Sequence, residues 1–495
     1  ESIADTGGTF TGDVTFADGA DIITASAGTD NVRLGDGAGA SIASGGNQNT
    51  LIGKDAGTAL TTGDANVIVG HSAGDAFTDA DYNVAVGFGA LSSDTKGDRS
   101  VAIGLNALTT QNHTSVTQTF NTAVGDNAGY AVTTGTNNTL IGALSGDAIT
   151  TGGSNTAVGS YSMTTLSTGS DNVAVGTSAL DVATTGSNNT AVGRNALGAN
   201  TDASNNTAVG KDALLVNTTA GVNTAVGALA LSSNTTPANN TAVGYNALGA
   251  NTTGNNNVAL GSYALDADTT GYNNVAIGQN ASTALTEGNS TTSIGQNALA
   301  QSTTANDNTA LGSMAGYNCT DGHSNTFVGR LAGYLSTTTG DNNTTIGYYA
   351  QGSSATADNE FTLGNSSISN LRCADTSISS LSDERDKKNI VDVPLGLDFI
   401  NTLRPVSFDW NRRDGSKKDM KDFGFIAQEL KTAQEATDYS DHMRLVNIGE
   451  MNTDDGKVEM MEADPMKTYP VLVKAVQELS EALDAALARI KVLEG

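Results

Sequence analysis

The sequence predicts a mainly β protein: a parallel β-solenoid, or β-roll, of about 20 coils with a 17-residue repeat, followed by a small α+β domain and a C-terminal coiled-coil helix. Three observations predict it. A tetrapeptide ending in Gly ("TAVG", "VAVG", "VAIG", "TTIG") recurs along most of the chain, and 16 of the 19 intervals between its glycines are 17 residues. Disordered tracts keep no such register, whereas stacked supersecondary units do. The composition is poor in large side chains, with 58 Gly against 11 Phe and 1 Trp, which suits a narrow stacked core and not a globular one. Beyond Gly364 the texture changes to mixed helix and strand patterns, ending in a 4-3-4-3 apolar spacing.

Within each repeat the residue before the Gly is Val, Ile or Leu, and the residue three before it is Val, Thr or, once, Phe361. These two positions share one face of a strand, and β-branched residues suit that conformation. The expectation is that they stack into the core. The small residue between them, Ala in 12 copies, would face outward and permit close packing between chains. A second Ala-rich column lies three residues after the Gly. A polar turn follows, often "TTG" and then one or two Asn, as at Thr252-Thr253-Gly254. One coil adds one strand spacing, so the stack predicts a rod of roughly 90 Å. Between Gly104 and Gly125 the interval is 21 residues. Four extra residues must leave a solenoid as a loop, which is either a tolerated insertion or a contact loop, with His113 and Phe120 as candidate receptor contacts.

Five segments follow in order: 1–30, an N-terminal β segment; 31–368, the repeat shaft; 369–381, a linker; 382–468, the α+β domain; and 469–495, the helix. In the α+β domain "PLGLDFINTL" has helical spacing at Leu397, Ile400 and Leu403, "PVSFDW" alternates as a strand, and "FGFIAQEL" leads into another helix. The helix seam runs through Leu472, Val476, Leu479, Leu483, Ala486, Ile490 and Leu493.

The net charge of −28 makes nucleic acid and anionic membranes poor direct partners, and no apolar run is long enough to span a bilayer. Cys319 and Cys373 fit neither a disulfide framework nor a zinc site and read as small buried residues. No signal peptide is evident, and the absence of an initial Met suggests a trimmed or partial chain. No cofactor and no metal are expected; calcium in the Asp-bearing turns is conceivable, but the nine-residue calcium-roll repeat is missing.

The repeat resembles the head repeats of trimeric autotransporter adhesins, a left-handed parallel β-roll, in its strand motif but not in its longer turn. That resemblance implies a homotrimer. "GGTFTGDVTF" (7–16) resembles short repeats of phage tail fibres. "LSDERDKKNI" (381–390), then "GLDFINTLRPVSFDW", "GFIAQEL" and a tail with "VLVKAVQEL", resembles the intramolecular chaperone domain of the peptidase S74 family, which terminates phage tail fibres and tailspikes. The resemblance implies a self-cleaving chaperone that releases itself after trimer folding. It places the scissile bond at Leu381–Ser382, with Ser382 and Lys387 as a dyad. A lysine can take a hydroxyl's proton only when burial or nearby positive charge favours its neutral form, and Arg385 and Lys388 could supply that charge. Asp383 would orient the Ser or the backbone, or be a surface carboxylate.

The expected function is a phage tail fibre, made in the host cytoplasm and carried on the virion. It would join other tail proteins through its N-terminus and bind a host cell-surface glycan or protein. The alternatives are a polysaccharide-degrading tailspike, which would need paired carboxylates in a groove, and a bacterial trimeric surface adhesin, which would end in a membrane anchor. Ice binding through Thr ladders is disfavoured because Val replaces Thr in 7 of the 20 copies.

Overall fold

The computed structural model describes residues 27–335, 339–368, 371, 383–411, 420–453 and 456–495. The 7–16 segment lies outside them. The chain divides into two compact units, Glu1–Met314 and Ala315–Gly495, and the fold is a parallel solenoid of about 19 turns with a small C-terminal α+β region and a terminal helix.

In the first unit each "xxx-Gly" motif is a three-residue strand hydrogen-bonded in parallel to the same triplet one coil on. Thr190–Val192 pairs with Thr207–Val209, aligning Thr190 with Thr207, Ala191 with Ala208 and Val192 with Val209. Like therefore lies on like along the stack. The Gly ending each triplet has a positive φ, and an added Cβ would strike backbone of the next coil: at Gly210 (φ 140°) it would lie 2.4 Å from the Gly227 carbonyl oxygen. Only a residue without Cβ turns that corner beneath a neighbour.

The triplet faces opposite to expectation. Its middle residue is fully buried and its two flanking residues are half-buried or exposed: Ala208 is 0 % accessible between partly exposed Thr207 and Val209. The Ala column therefore lines the core, and the Val/Thr and Val/Ile/Leu columns face out. The reason is volume. Facing the triplet are the second Ala column, three after the Gly, and in most coils a large side chain, which suits a small middle residue; Leu51, Ile68 and Leu140 take the middle place, fully buried, in coils where the position four after the Gly is itself a Gly.

That large side chain arrives from either of two positions. Leu91, Leu108, Leu197, Leu214, Leu231, Leu248 and Leu265 sit four after the Gly. Where Gly stands there instead, a residue seven after the strand-ending Gly fills the space: Leu60, Phe77, Val132 and Ile149. One coil fills both positions, with Met163 and Leu166 fully buried, but where Gly stands in the first position the space is already taken. A Cβ on Gly146 would meet Leu140 Cδ2 at 2.7 Å and Ile149 Cδ1 at 2.8 Å. Shortening Ile149 to Val is expected to cost about 1 kcal/mol, read as a lowered denaturation midpoint.

The second unit holds three further parallel triplets, Thr326–Val328, Thr344–Ile346 and Phe361–Leu363. It continues with helix α1 (Leu397–Ile400), an antiparallel pair Val406–Asp409 with Lys421–Gly424, helices α2 (Ala427–Glu435) and α3 (Ser440–Met443), a long hairpin Val446–Thr453 with Gly456–Ala463, and helix α4 (Tyr469–Glu494). Phe399, Leu430, Met443, Leu445 and Val471 form its core. The Glu478 carboxylate of α4 accepts from the Leu397 amide at 2.7 Å, capping α1 where Gly396 offers no side chain. On α4, Val471 and Ala475 pack into the domain, whereas seam residues Leu472, Val476, Leu479, Leu483, Ile490 and Leu493 are all exposed.

Candidate functional sites

Leu381 and Ser382 lie outside the described residues. Just after them, Asp383 opens a short 3₁₀ turn, Glu384–Asp386. Its Oδ1 accepts from the Arg385 amide at 2.9 Å and from Arg385 Nε at 3.0 Å, and its Oδ2 accepts from Nη2 at 2.6 Å. This bidentate contact holds the Asp383 carboxyl below its ordinary range. Asp383 thus fixes the backbone that leads out of the predicted scissile bond and engages the guanidinium of Arg385. Lys387 closes the turn through its amide to the Glu384 carbonyl at 3.1 Å; its side chain and that of Lys388 are exposed in the single chain. Glu429 pairs with Arg404, tying α2 to the segment after α1.

The insertion is a second place where the chain departs from its repeat. Thr117–Gln118 forms an extra parallel pairing with Gly97–Asp98, giving a ledge on the side of the coil. Beneath it lies a buried polar cluster. Asp94, 0 % accessible, accepts from Gln111 Nε2 at 2.6 Å, from the Gly97 amide at 3.1 Å and from the His113 amide at 3.0 Å. Gln111 also donates to Ser100 Oγ at 3.0 Å, and Ser100 Oγ lies 2.5 Å from Thr119 Oγ1. His113 is 6 % accessible, with Nδ1 3.8 Å from Asp94 Oδ1. It supports the ledge from within, while Phe120, 49 % accessible, stands on the surface.

Sequence reasoning missed the residue that organises most of the turns. The position four before the Gly, read as part of a polar turn, is Asn in 17 of the 20 copies, and it is buried. Asn206 shows the pattern: its Oδ1 accepts from the Asn223 amide at 2.9 Å, its Nδ2 donates to the Ala220 carbonyl at 2.9 Å, and its own amide donates to Asn189 Oδ1 at 3.0 Å. Each side chain satisfies one backbone donor and one acceptor that the turn leaves buried. Fixed distance from the Gly was the available signal. Where Ser100 interrupts this ladder, Gln111 takes over by accepting from Asn121 Nδ2 at 2.8 Å. A second, shorter ladder runs through Asn200, Asn217, Asn234 and Asn251, linked by Nδ2-to-Oδ1 bonds of 3.0–3.2 Å, and ends at Asp268. Cys319 occupies the same position in a later coil, and burial pushes its thiol up to about 12. Cys373 lies outside the described residues.

Residues 382–439 match the family Peptidase_S74, chaperone of endosialidase. The match begins at Ser382, directly after the expected scissile bond. No curated protein and no solved structure matches the chain.

Proposed function

We propose that the chain is a homotrimeric phage tail-fibre protein whose S74 domain aligns three chains, then cuts itself away between Leu381 and Ser382, leaving a shaft that serves in host-surface attachment. The chaperone-of-endosialidase match at 382–439 carries this reading. An S74 domain with a β-solenoid fits a tail fibre or tailspike-like protein.

Two surfaces of the single chain support a trimer. The outward strand face of the first unit is an unbroken ladder of aliphatic and Thr side chains, with Leu34, Ile103, Ile141, Val175, Leu260 and Leu311 among its exposed members. Seventeen strands at about 4.8 Å give a strip roughly 80 Å by 10 Å, close to the about 800 Å² per partner of a stable interface. The α4 seam is the second surface, and its apolar side chains would be covered by the same seam of other chains. Lys387 supplies the coupling. Burial turns a lysine into a base, and Lys387 is exposed in the single chain. A neighbouring chain would bury it only once the trimer forms, so cleavage would follow assembly. Parallel, near-identical repeats are prone to register errors and fold slowly; removing the clamp afterwards gives kinetic stability.

The test is the mass of freshly expressed protein under native and denaturing conditions. The expected product is a trimer of chains ending at Leu381, with a separate piece of 114 residues (382–495). A native monomer of either length would overturn the proposal.

A further inference from the structure

The corner five residues before each Gly is left-handed in all 20 coils, and 14 of them hold Asn, Asp or Ser there. These are short polar residues suited to that backbone. The other six are Gln48, Ala65 and Val222 and, in three consecutive coils, the largest side chains: Tyr82 (φ 61°), Arg99 (φ 64°) and Phe120 (φ 51°). Their backbones are stacked, the Arg99 amide donating to the Asp81 carbonyl at 3.0 Å. The Arg99 guanidinium lies 4.7 Å from the Tyr82 ring centroid. Tyr82 and Phe120 remain 54 % and 49 % accessible. This is also where the insertion ledge leaves the coil, with Gln118 exposed two residues before Phe120 and the ledge braced on Asp94 and Gln111. Core leucines such as Leu214 (φ 50°) take the same conformation to pack inside, whereas these three are left open to solvent beside a stiffened insertion, which marks a binding site more than a packing need.

We infer that Tyr82, Arg99 and Phe120, with the ledge at 112–118, form a binding site for a neutral, hexose-containing glycan. The inference rests on the surface-attachment reading above and gives it a location and a ligand class. Open aromatic rings offer flat apolar surface to the C–H face of a sugar ring. Next to them runs a carboxylate column, Asp64, Asp81 and Asp98, in which Asp98 is buried and the half-buried Asp64 and Asp81 are the ones a ligand can reach. The Asp64 amide donates to Asp81 Oδ1 at 2.7 Å, and the Asp81 amide donates to Asp98 Oδ1 at 2.9 Å. Carboxylate oxygens accept from sugar hydroxyls and repel acidic sugars. Arg99 adds donors for hydroxyl oxygens while it stacks on Tyr82.

The test compares the wild-type protein with the Tyr82→Asn/Phe120→Asn double variant on a printed array. The array carries neutral hexose and N-acetylhexosamine oligosaccharides beside sialylated and uronic-acid ones. Asn is the residue that eight other coils place at this corner, so the variant is expected to fold with an unchanged or higher denaturation midpoint. The expected result is neutral-glycan binding by the wild type that falls at least tenfold in the variant. Equal binding by both proteins overturns this site and leaves surface attachment standing. Binding confined to acidic sugars overturns the ligand class. Binding to no glycan overturns the site, and attachment is then judged separately by adsorption of the protein to whole bacterial cells. A lost signal accompanied by a lowered midpoint also counts against the site.

Discussion

Ser382→Ala is expected to leave the chain at 495 residues under conditions in which the wild type sheds residues 382–495. Its native mass should still be that of a trimer. Cleavage needs a nucleophile or a water activated at the bond, and in the proposed site the Ser382 hydroxyl is that group. It lies immediately after the carbonyl to be attacked, so an ester formed by acyl shift and opened by water is the shortest route. Lys387→Ala should give the same uncut trimer, because the hydroxyl then has no base. Asp383→Ala should slow the cut rather than abolish it, since Asp383 caps the turn and holds Arg385. Denaturing gels over a time course after expression read all three variants. Normal cleavage in both Ser382→Ala and Lys387→Ala would remove the dyad. Loss of the trimer in Ser382→Ala would separate assembly from the proposed order of events, in which clamping precedes cutting.

The second large effect is expected at Asp268. It stands where the short ladder Asn200, Asn217, Asn234, Asn251 would take its next Asn. Its Oδ1 accepts from the Gly271 amide at 2.8 Å, and its Oδ2 is buried without a partner. Burial pushes the carboxyl up to about 7. An unfolded Asp ionises near 3.9, so between about pH 4 and pH 7 the folded chain holds a proton that the unfolded chain has lost. The contribution to stability is therefore fully present below pH 4 and is lost as pH rises towards 7. Three pKa units correspond to about 4 kcal/mol. Asp268→Asn restores the ladder's donor and removes the charge. It should raise the denaturation midpoint at pH 8, by the equivalent of about 2–4 kcal/mol, and change it little at pH 4. An equal midpoint for the two proteins at pH 8 would mean that the carboxylate is solvated in the assembled protein.

Much of the architecture was legible because a repeat turns local chemistry into a periodic signal. The Gly at fixed spacing reported a positive-φ corner, and the β-branched pair before it reported a strand. The 4-3 spacing in the tail reported the helix, and "LSDERDKKNI" pointed to the domain that the family match then located. The Asn ladder was visible as a column but not as a role. An Asn in a turn and an Asn buried beneath one look alike until the hydrogen bonds of Asn206 to Ala220 and Asn223 are known.

By itself the sequence determined the coil length, the parallel stacking of like on like, the place of the insertion and the identity of the C-terminal domain. These depend on spacing and on short motifs, which a linear string preserves. Only the tertiary structure decided which strand face is inside. Alternation distinguishes two faces but cannot rank them, and here the middle residue of each triplet, Ala in 12 copies, is the one that packs against Leu214, Ile149 and their equivalents on the opposite wall. It alone buried His113, exposed Phe120 and brought Tyr82 under Arg99, since residues 17 or more apart become neighbours only when the coils close.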